Sequence, residues 1–471
     1  MTVMRTVHMG KASLSVDLSD GSERGEYVNQ DYILQTIGRP HRAVNLMYTY
    51  YPKDKEWPAR ISEACKDRKV TFAWDYPYDD YFPYGVNDEP FRFMRDIRRH
   101  GQDVTLTLTI DCSLDDEPLR EIARQLRPYG RMRIRINHEC VGDWFTHNKR
   151  FSFREIADFF VRFSGIIHEE APNVKTIFCA GVSKEEGGPV EEEESMLPAY
   201  LAADVWSADK YLALHFGWPY DDTEEAIGNR SFASSVEETY RGFQYTAKRI
   251  RSITGQDKPL VLSELNVDGD VVGALHQGEV LKRFYEKIRD ERPDWLEAVT
   301  LYQFRDRGRL GLEIEDPNNA QIGIPQPMLA DYRETIQDPY FCPPMTAGEE
   351  TAFPAKLRWG GAEDADGLEL LLHLAHRPEF LELTFEEPLS LMIECNGRWF
   401  YKAPETKCVD LMGAFTGKEA DGADLPVRIF ATPPEGVNPD DGSGDWMVNY
   451  RTVMKEMPKL RVRFTPVGEV N

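Results

Sequence analysis

Eight short runs of β-branched and apolar residues recur along the chain at residues 43–50, 70–75, 104–111, 131–137, 174–180, 204–208, 260–264 and 298–304. Most of the intervening segments carry helical periodicity, at residues 57–66, 90–100, 117–126, 152–169, 236–254 and 278–292. Strands alternating with helices call for a parallel sheet whose faces are covered by the helices. Eight such units in order fit a closed (β/α)8 barrel better than an open sheet. Ser152 followed by Glu155 supplies a capping box at the start of the helix at 152–169. The acidic run at residues 191–194 reads as a solvated loop or a helix start.

The run at 131–137 has a sharper pattern than the others. Met132, Ile134 and Ile136 point one way, and Arg131, Arg133, Arg135 and Asn137 the other. Arginines lined up on one face of a strand require carboxylates or solvent on that side. The strand ends in Asn137, His138 and Glu139, followed by Gly142, Asp143, Trp144 and Phe145. Glu139 either pairs with Arg133 or Arg135 or stands at the strand tip as a reactive carboxyl. Residues 258–266, KPLVLSELN, place Glu264 in the same position, at the C-terminal tip of a strand buried on both faces. That end of the strands is where barrel enzymes build their sites.

The chain is long enough for such a barrel and one smaller domain. A proline-rich stretch at 338–344 marks the boundary. Beyond it strands follow one another without long helices, and Asn396-Gly397 is a strong hairpin signal. The expected organisation is an irregular lead-in over residues 1–40, a barrel over 41–340, and a small β-sandwich over 345–471 that either binds sugar or, as favoured here because no exposed aromatic row is evident, braces the barrel or serves as an interface. The chain carries 56 basic against 80 acidic residues, a net charge of -24, which disfavours a nucleic-acid partner. No apolar run reaches the ~18 residues of a membrane span. The N-terminus has no secretory pattern, and the seven cysteines are odd in number and scattered. These features point to reduced thiols in a cytoplasmic protein.

The segment His138-Glu139 followed by Val141-Gly142-Asp143-Trp144-Phe145 resembles the HE-x-x-G-x-W-F signature of glycoside hydrolase family 26. Residues 200–211, YLAADVWSADKY, resemble that family's Y-V-D-W-V-G-x-D-x-Y strand, and Ser263-Glu264 its nucleophile strand. The likeness covers residues 40–340. It is that of a divergent relative, with Tyr302-Gln303-Phe304 where the family usually has a tryptophan.

The resemblance implies a retaining β-glycosidase acting on β-linked mannosides, glucosides or xylosides, with Glu139 as acid/base and Glu264 as nucleophile. Asn137, His138, Trp144, Tyr211, Trp74, Trp218 and Gln303 are the candidates for substrate contact, and Tyr211 resembles the family tyrosine that holds the nucleophile. Arg135 is expected to orient one of the two glutamates. Neither a metal nor an organic cofactor is called for. The expected partner is an oligosaccharide, with no nucleic acid and no membrane, and assembly into a homo-oligomer is compatible with the sequence. The competing reading is a barrel that binds sugar without cleaving it, as a sensor or scaffold. Metal-assisted chemistry would want clustered histidines at strand tips, where only His138 and His215 fall.

Overall fold

The computed structural model describes residues 3–9, 13–21, 27–52, 90–100, 102–142, 145, 147, 150–181, 190–213, 236–306, 310–342, 345–347, 353–358, 367–373, 378, 380–415, 424–432 and 451–463. The chain divides into two compact units, Leu14–Asp338 and the combination of Met1–Ser13 with Pro339–Asn471.

The larger unit is a closed barrel of eight parallel strands. In chain order these are β1 (Ser15–Ser19), β2 (Ala43–Tyr50), β3 (Asp103–Ile110), β4 (Met132–Ile136), β5 (Val174–Cys179), β6 (Val205–Asp209), β7 (Leu260–Leu265) and β8 (Leu296–Leu301). Each pairs with its successor, and β1 closes the ring against β8 with Ser15 opposite Ala298. The strand alternation sorts the side chains into two shells. Val104, Leu106, Leu108 and Ile110 of β3 and Met132, Ile134 and Ile136 of β4 are buried, while Thr107 and Arg135 on the opposite parity bond one another. The helix Phe153–Glu170 shows how the outer shell closes. Ser152 and Glu155 form the expected reciprocal cap. Phe160 on its buried stripe then meets Phe178 of β5 edge-on, with centroids 4.9 Å apart.

Two expectations change. Residues 1–40 are not an irregular lead-in: they contain β1, the strand that closes the barrel, and an earlier strand, Val3–Met9, that belongs to the other unit. The strand expected at 70–75 lies outside the described residues, and all eight positions of the ring are filled without it because β2 pairs directly with β3. With β1 counted in the ring and β2 paired directly with β3, the numbering of the later strands is intact. Glu139 still follows the fourth strand, and Glu264 still lies on the seventh.

The smaller unit is built of β-strands from both chain ends. Its six-stranded sheet runs Met345–Ala347, Val3–Met9, Leu368–His373, Asp424–Ala431, Leu391–Cys395, Arg398–Lys402. All its pairings are antiparallel except that of Val3–Met9 with Leu368–His373. A three-stranded sheet (Cys408–Asp410, Phe380–Thr384, Lys459–Arg463) and a two-stranded one (Ala355–Arg358, Arg451–Met454) share its core. Leu370, Ile393, Ile429, Leu381, Leu383 and Leu357 pack together there, so the sheets face one another over one apolar layer. Asn396 and Gly397, at φ 51° and 75°, make the tight hairpin turn their sequence calls for.

Candidate active site

The barrel interior is polar to an unusual degree for a fold whose lumen is ordinarily packed with branched apolar side chains. A chain of hydrogen bonds crosses it from one wall to the other. Asn45 of β2 donates to Ser19 Oγ of β1 at 3.1 Å, and Thr107 of β3 donates to Asn45 Oδ1 at 2.7 Å. Arg135 of β4 donates from Nε to Thr107 at 2.9 Å. The guanidinium then forks, with Nη1 reaching Asp209 Oδ2 at 2.7 Å and Nη2 reaching Glu264 Oε1 at 2.6 Å. The Arg135 side chain has no exposure. Burial alone would press it to lose its proton, but the Asp209 and Glu264 carboxylates reverse that and hold its pKa above the ordinary arginine value.

Glu264 is gripped on both oxygens. Arg135 takes Oε1, and the Tyr211 hydroxyl donates to Oε2 at 2.9 Å. Burial, then the nearby Glu264 carboxylate, pushes the Tyr211 phenol pKa well above its usual value, so it remains a donor. Its ring stands edge-on to Tyr302, centroids 6.0 Å apart.

Glu139 approaches from the tip of β4. The backbone there takes an unusual path, with Asn137 at φ 46° and Glu139 at φ 52°. Asparagine enters this left-handed region readily; glutamate does so only when surrounding bonds impose it. Those bonds are Gly142 N–H to Glu139 C=O at 3.0 Å and Val141 N–H to Ala180 C=O at 3.2 Å. The result is that one oxygen each of Glu139, Asp209 and Glu264 lie within 4.8 Å of one another.

Asp209, at the end of β6, is the member that sequence reasoning missed. Its side chain is fully buried. Burial raises its pKa, Arg135 pulls it back, and Glu264 raises it again, to about 7. The signal was present in the stretch resembling the family strand, two residues before Tyr211. Nothing in the sequence alone gives the depth of its burial.

The other expected residues fall into three groups. His138 sits at the rim of the cluster, buried, with Nε2 3.6 Å from Glu264 Oε1 and its ring 4.5 Å from that of Phe145. Burial first, then the charge of Arg135, drives its pKa well below the usual histidine value, so it is a neutral imidazole. Asn137 and Gln303 are engaged within the protein. Asn137 accepts from Ile110 N–H at 2.7 Å and donates to Ile110 C=O at 3.1 Å, which splices β4 to β3 in place of the expected sugar contact. Gln303 is fully buried and donates to Asp306 at 3.1 Å. Trp74, Trp144 and Trp218 lie outside the described residues. Trp206, another tryptophan near a strand tip, is a core residue whose indole donates to Tyr200 C=O at 2.9 Å.

The three carboxylates are also the kind of oxygen set a hard divalent cation takes. Here the cation is already supplied by the protein: Arg135 engages one oxygen of Asp209 and one of Glu264, and Tyr211 takes the second oxygen of Glu264. The arrangement is a carboxylate cluster neutralised from below by an arginine.

A closed (β/α)8 barrel with such a cluster at the C-terminal ends of β4, β6 and β7 defines the class of this molecule. No family model matches the sequence, and no curated protein matches it. Among solved structures the chain is similar to a GH26 beta-mannanase from Bacteroides ovatus, at 12% identity and TM-score 0.43, over 70% of this chain and 90% of that one. It is similar also to a family 39 glycoside hydrolase from Bacteroides cellulosilyticus WH2, at 11% identity and TM-score 0.44, over 89% and 81%. A monomeric beta-xylosidase from Caulobacter crescentus CB15 follows at 11% identity and TM-score 0.43, over 91% and 100%. Families 26 and 39 both figure among these neighbours. Among the described residues no helix is long and apolar enough to cross a membrane.

Proposed function

We propose that the protein is a retaining β-glycoside hydrolase acting on β-linked oligosaccharides. The observation that carries this reading is Glu264, held at both oxygens by Arg135 and Tyr211, with a Glu139 oxygen no more than 4.8 Å away. Retaining enzymes place their two carboxyl groups ~5–5.5 Å apart, whereas inverting ones leave ~6.5–9.5 Å for a water. Glu264 is fixed in direction by its two donors, which suits attack on the anomeric carbon. As the Glu264 oxygen bonds to that carbon, the bond to the leaving oxygen breaks and Glu139 delivers its proton there. With Glu264 esterified its charge is gone. Glu139, now ionised, takes a proton from water, which attacks the same carbon and releases Glu264.

His138, neutral and 3.6 Å from Glu264, is placed to donate to a sugar hydroxyl beside the reacting centre. The sequence stretches at 138–145, 200–211 and 263–264 that resemble family 26 support a place among such retaining hydrolases. Manno-, gluco- and xylo-configured substrates all remain in scope.

The test is hydrolysis of aryl β-mannosides, β-glucosides and β-xylosides and of the corresponding short oligosaccharides, with the first-formed anomer read by proton NMR. Retention is expected, together with loss of turnover in Glu264→Ala and slowed glycosylation of poor leaving groups in Glu139→Gln. Inverted product, or undiminished turnover in Glu264→Ala, overturns the assignment. Binding without any turnover in the unaltered protein would instead support the sensor or scaffold reading.

A further inference from the structure

The outer face of the six-stranded sheet in the smaller unit carries large aromatic side chains in the open. Trp399 and Tyr401 lie two residues apart on the edge strand Arg398–Lys402, and are 46% and 60% exposed. Alternation places them on one face, and the intervening Phe400 packs on the core instead. Opposite them on the neighbouring strand stand Glu394 and Met392, and one strand further in stand Arg428 and Phe430. Trp399 leans over the middle strand onto Phe430, centroids 5.8 Å apart, so its ring is supported from beneath.

The polar members of this face are fixed as well. Arg428 donates to Glu369 at 2.6 Å and to Glu394 at 3.4 Å, and the other Glu394 oxygen accepts from Gly397 N–H at 2.7 Å. The face therefore presents two flat rings with a fixed row of donors and acceptors beside them, in place of a continuous apolar patch.

We propose that this face is an accessory glycan-binding site, taking a neutral oligosaccharide chain laid along Trp399 and Tyr401. The C–H faces of pyranose rings stack on aromatic planes, and Trp and Tyr lose little conformational freedom when they do so. Residues two apart on a strand stand about 7 Å apart, which suits adjacent rings of one chain. The carboxylates and guanidinium alongside neutralise one another in large part, leaving polar groups for hydroxyls. A net charge of -24 on the chain argues against an acidic polymer as occupant. That the glycan is of the same β-linked class as the barrel's substrate rests on the proposed function; that the face binds a neutral glycan does not.

Affinity electrophoresis of the full-length protein tests this, in native gels containing mixed-linkage β-glucan, galactomannan or xylan. The Glu264→Ala background keeps the polysaccharide intact. Retardation is expected in at least one gel, and Trp399→Ala with Tyr401→Ala should weaken it by about tenfold or more. Turnover of a small aryl β-glycoside by the same double variant, with Glu264 restored, should be unchanged.

No retardation in any gel, or equal retardation in the double variant, overturns the proposal. So does sedimentation in which the double variant turns a dimer into a monomer while retardation persists, because the face is then a contact between copies of the chain. Loss of retardation together with intact turnover in Glu264→Ala would leave this site standing and remove the barrel assignment instead.

Discussion

Arg133 of β4 and Glu297 of β8 form an ion pair across the N-terminal end of the barrel, joining strands on opposite sides of the ring. Arg42, just before β2, holds the same Glu297 oxygen at 2.8 Å and also binds Asp17 of β1. Burial opposes the Glu297 charge, but Arg133 and Arg42 outweigh it and lower its pKa from an ordinary 4.5 to about 2. A carboxyl depressed on folding contributes stability that is fully present above its unfolded pKa. That stability is lost as pH falls from about 4.5 through about 2. The contribution is on the order of 3 kcal/mol. Denaturant titrations between pH 6 and pH 2.5 should show the unaltered protein losing more stability than Glu297→Gln over that range, and parallel curves would refute the assignment.

At the opposite end of the barrel the sign reverses. Asp209 has its pKa raised from 3.8 to about 7 on folding, by burial first and by Glu264 in addition. A raised carboxyl contributes stability that is fully present below the unfolded value and lost as pH rises through the folded one. Asp209→Asn should therefore gain stability relative to the unaltered protein between pH 4 and pH 8, by a few kcal/mol. The same variant reports on Glu139. Once Asp209 ionises, a second negative charge on Glu139, whose oxygen lies within 4.8 Å, is disfavoured. The alkaline limb of the activity profile should move to lower pH in Asp209→Asn, and an unmoved limb would separate the two carboxyls.

Among the described residues Arg135 is the one cation shared by Asp209 and Glu264, so its removal leaves two buried carboxylates without their counter-charge. Arg135→Met should cost about 3 to 5 kcal/mol of stability. Arg135→Lys keeps a charge but loses the fork that reaches both partners. It should fold while losing about 100-fold in kcat, because Glu264 is no longer aimed. A lysine variant with ordinary kcat would show that Tyr211 alone suffices to hold Glu264.

Tyr211→Phe isolates that second grip. It deletes the hydrogen bond from the Tyr211 hydroxyl to Glu264 Oε2 and keeps the ring. The expected loss is about 10- to 100-fold in kcat with the melting temperature little changed. A change confined to KM would place Tyr211 on the sugar instead.

The barrel was legible because β2, β3 and β5 are runs whose burial on both sides leaves them apolar or threonine-rich, and the helices between them are long. β1 was not legible. Ser15-Val16-Asp17-Leu18-Ser19 is five residues long, and its polar positions face a lumen that is itself polar, so they look like a loop. Glu139 and Glu264 could be picked out at strand tips from local sequence. Arg135 could be seen to need a carboxylate, but which one depended on the closure of the ring that brings the inner faces of β4, β6 and β7 together. The hydrogen bonds that Asn137 and Gln303 make within the protein were not legible for a related reason. A polar side chain at a strand tip reads alike in sequence whether it faces a ligand or a neighbouring backbone.

Asn137 turns that last distinction into an experiment. Its amide bonds the N–H and the C=O of Ile110 and also donates to Cys112 Sγ at 3.2 Å, and its own backbone sits at φ 46°. Asn137→Ala would leave a buried N–H and C=O unpaired and force a Cβ residue without a local hydrogen bond into the left-handed region. The two effects together should cost about 2 to 4 kcal/mol. Asn137→Gly removes the amide but suits the backbone, and should recover about 1 kcal/mol of that loss. Because Glu139 stands two residues on, loosening this turn should lower kcat in both variants while KM changes little. If KM rises instead and stability holds, Asn137 contacts the sugar after all, and the splice between β3 and β4 is held by the backbone bond from Asn137 N–H to Leu108 C=O at 3.0 Å alone.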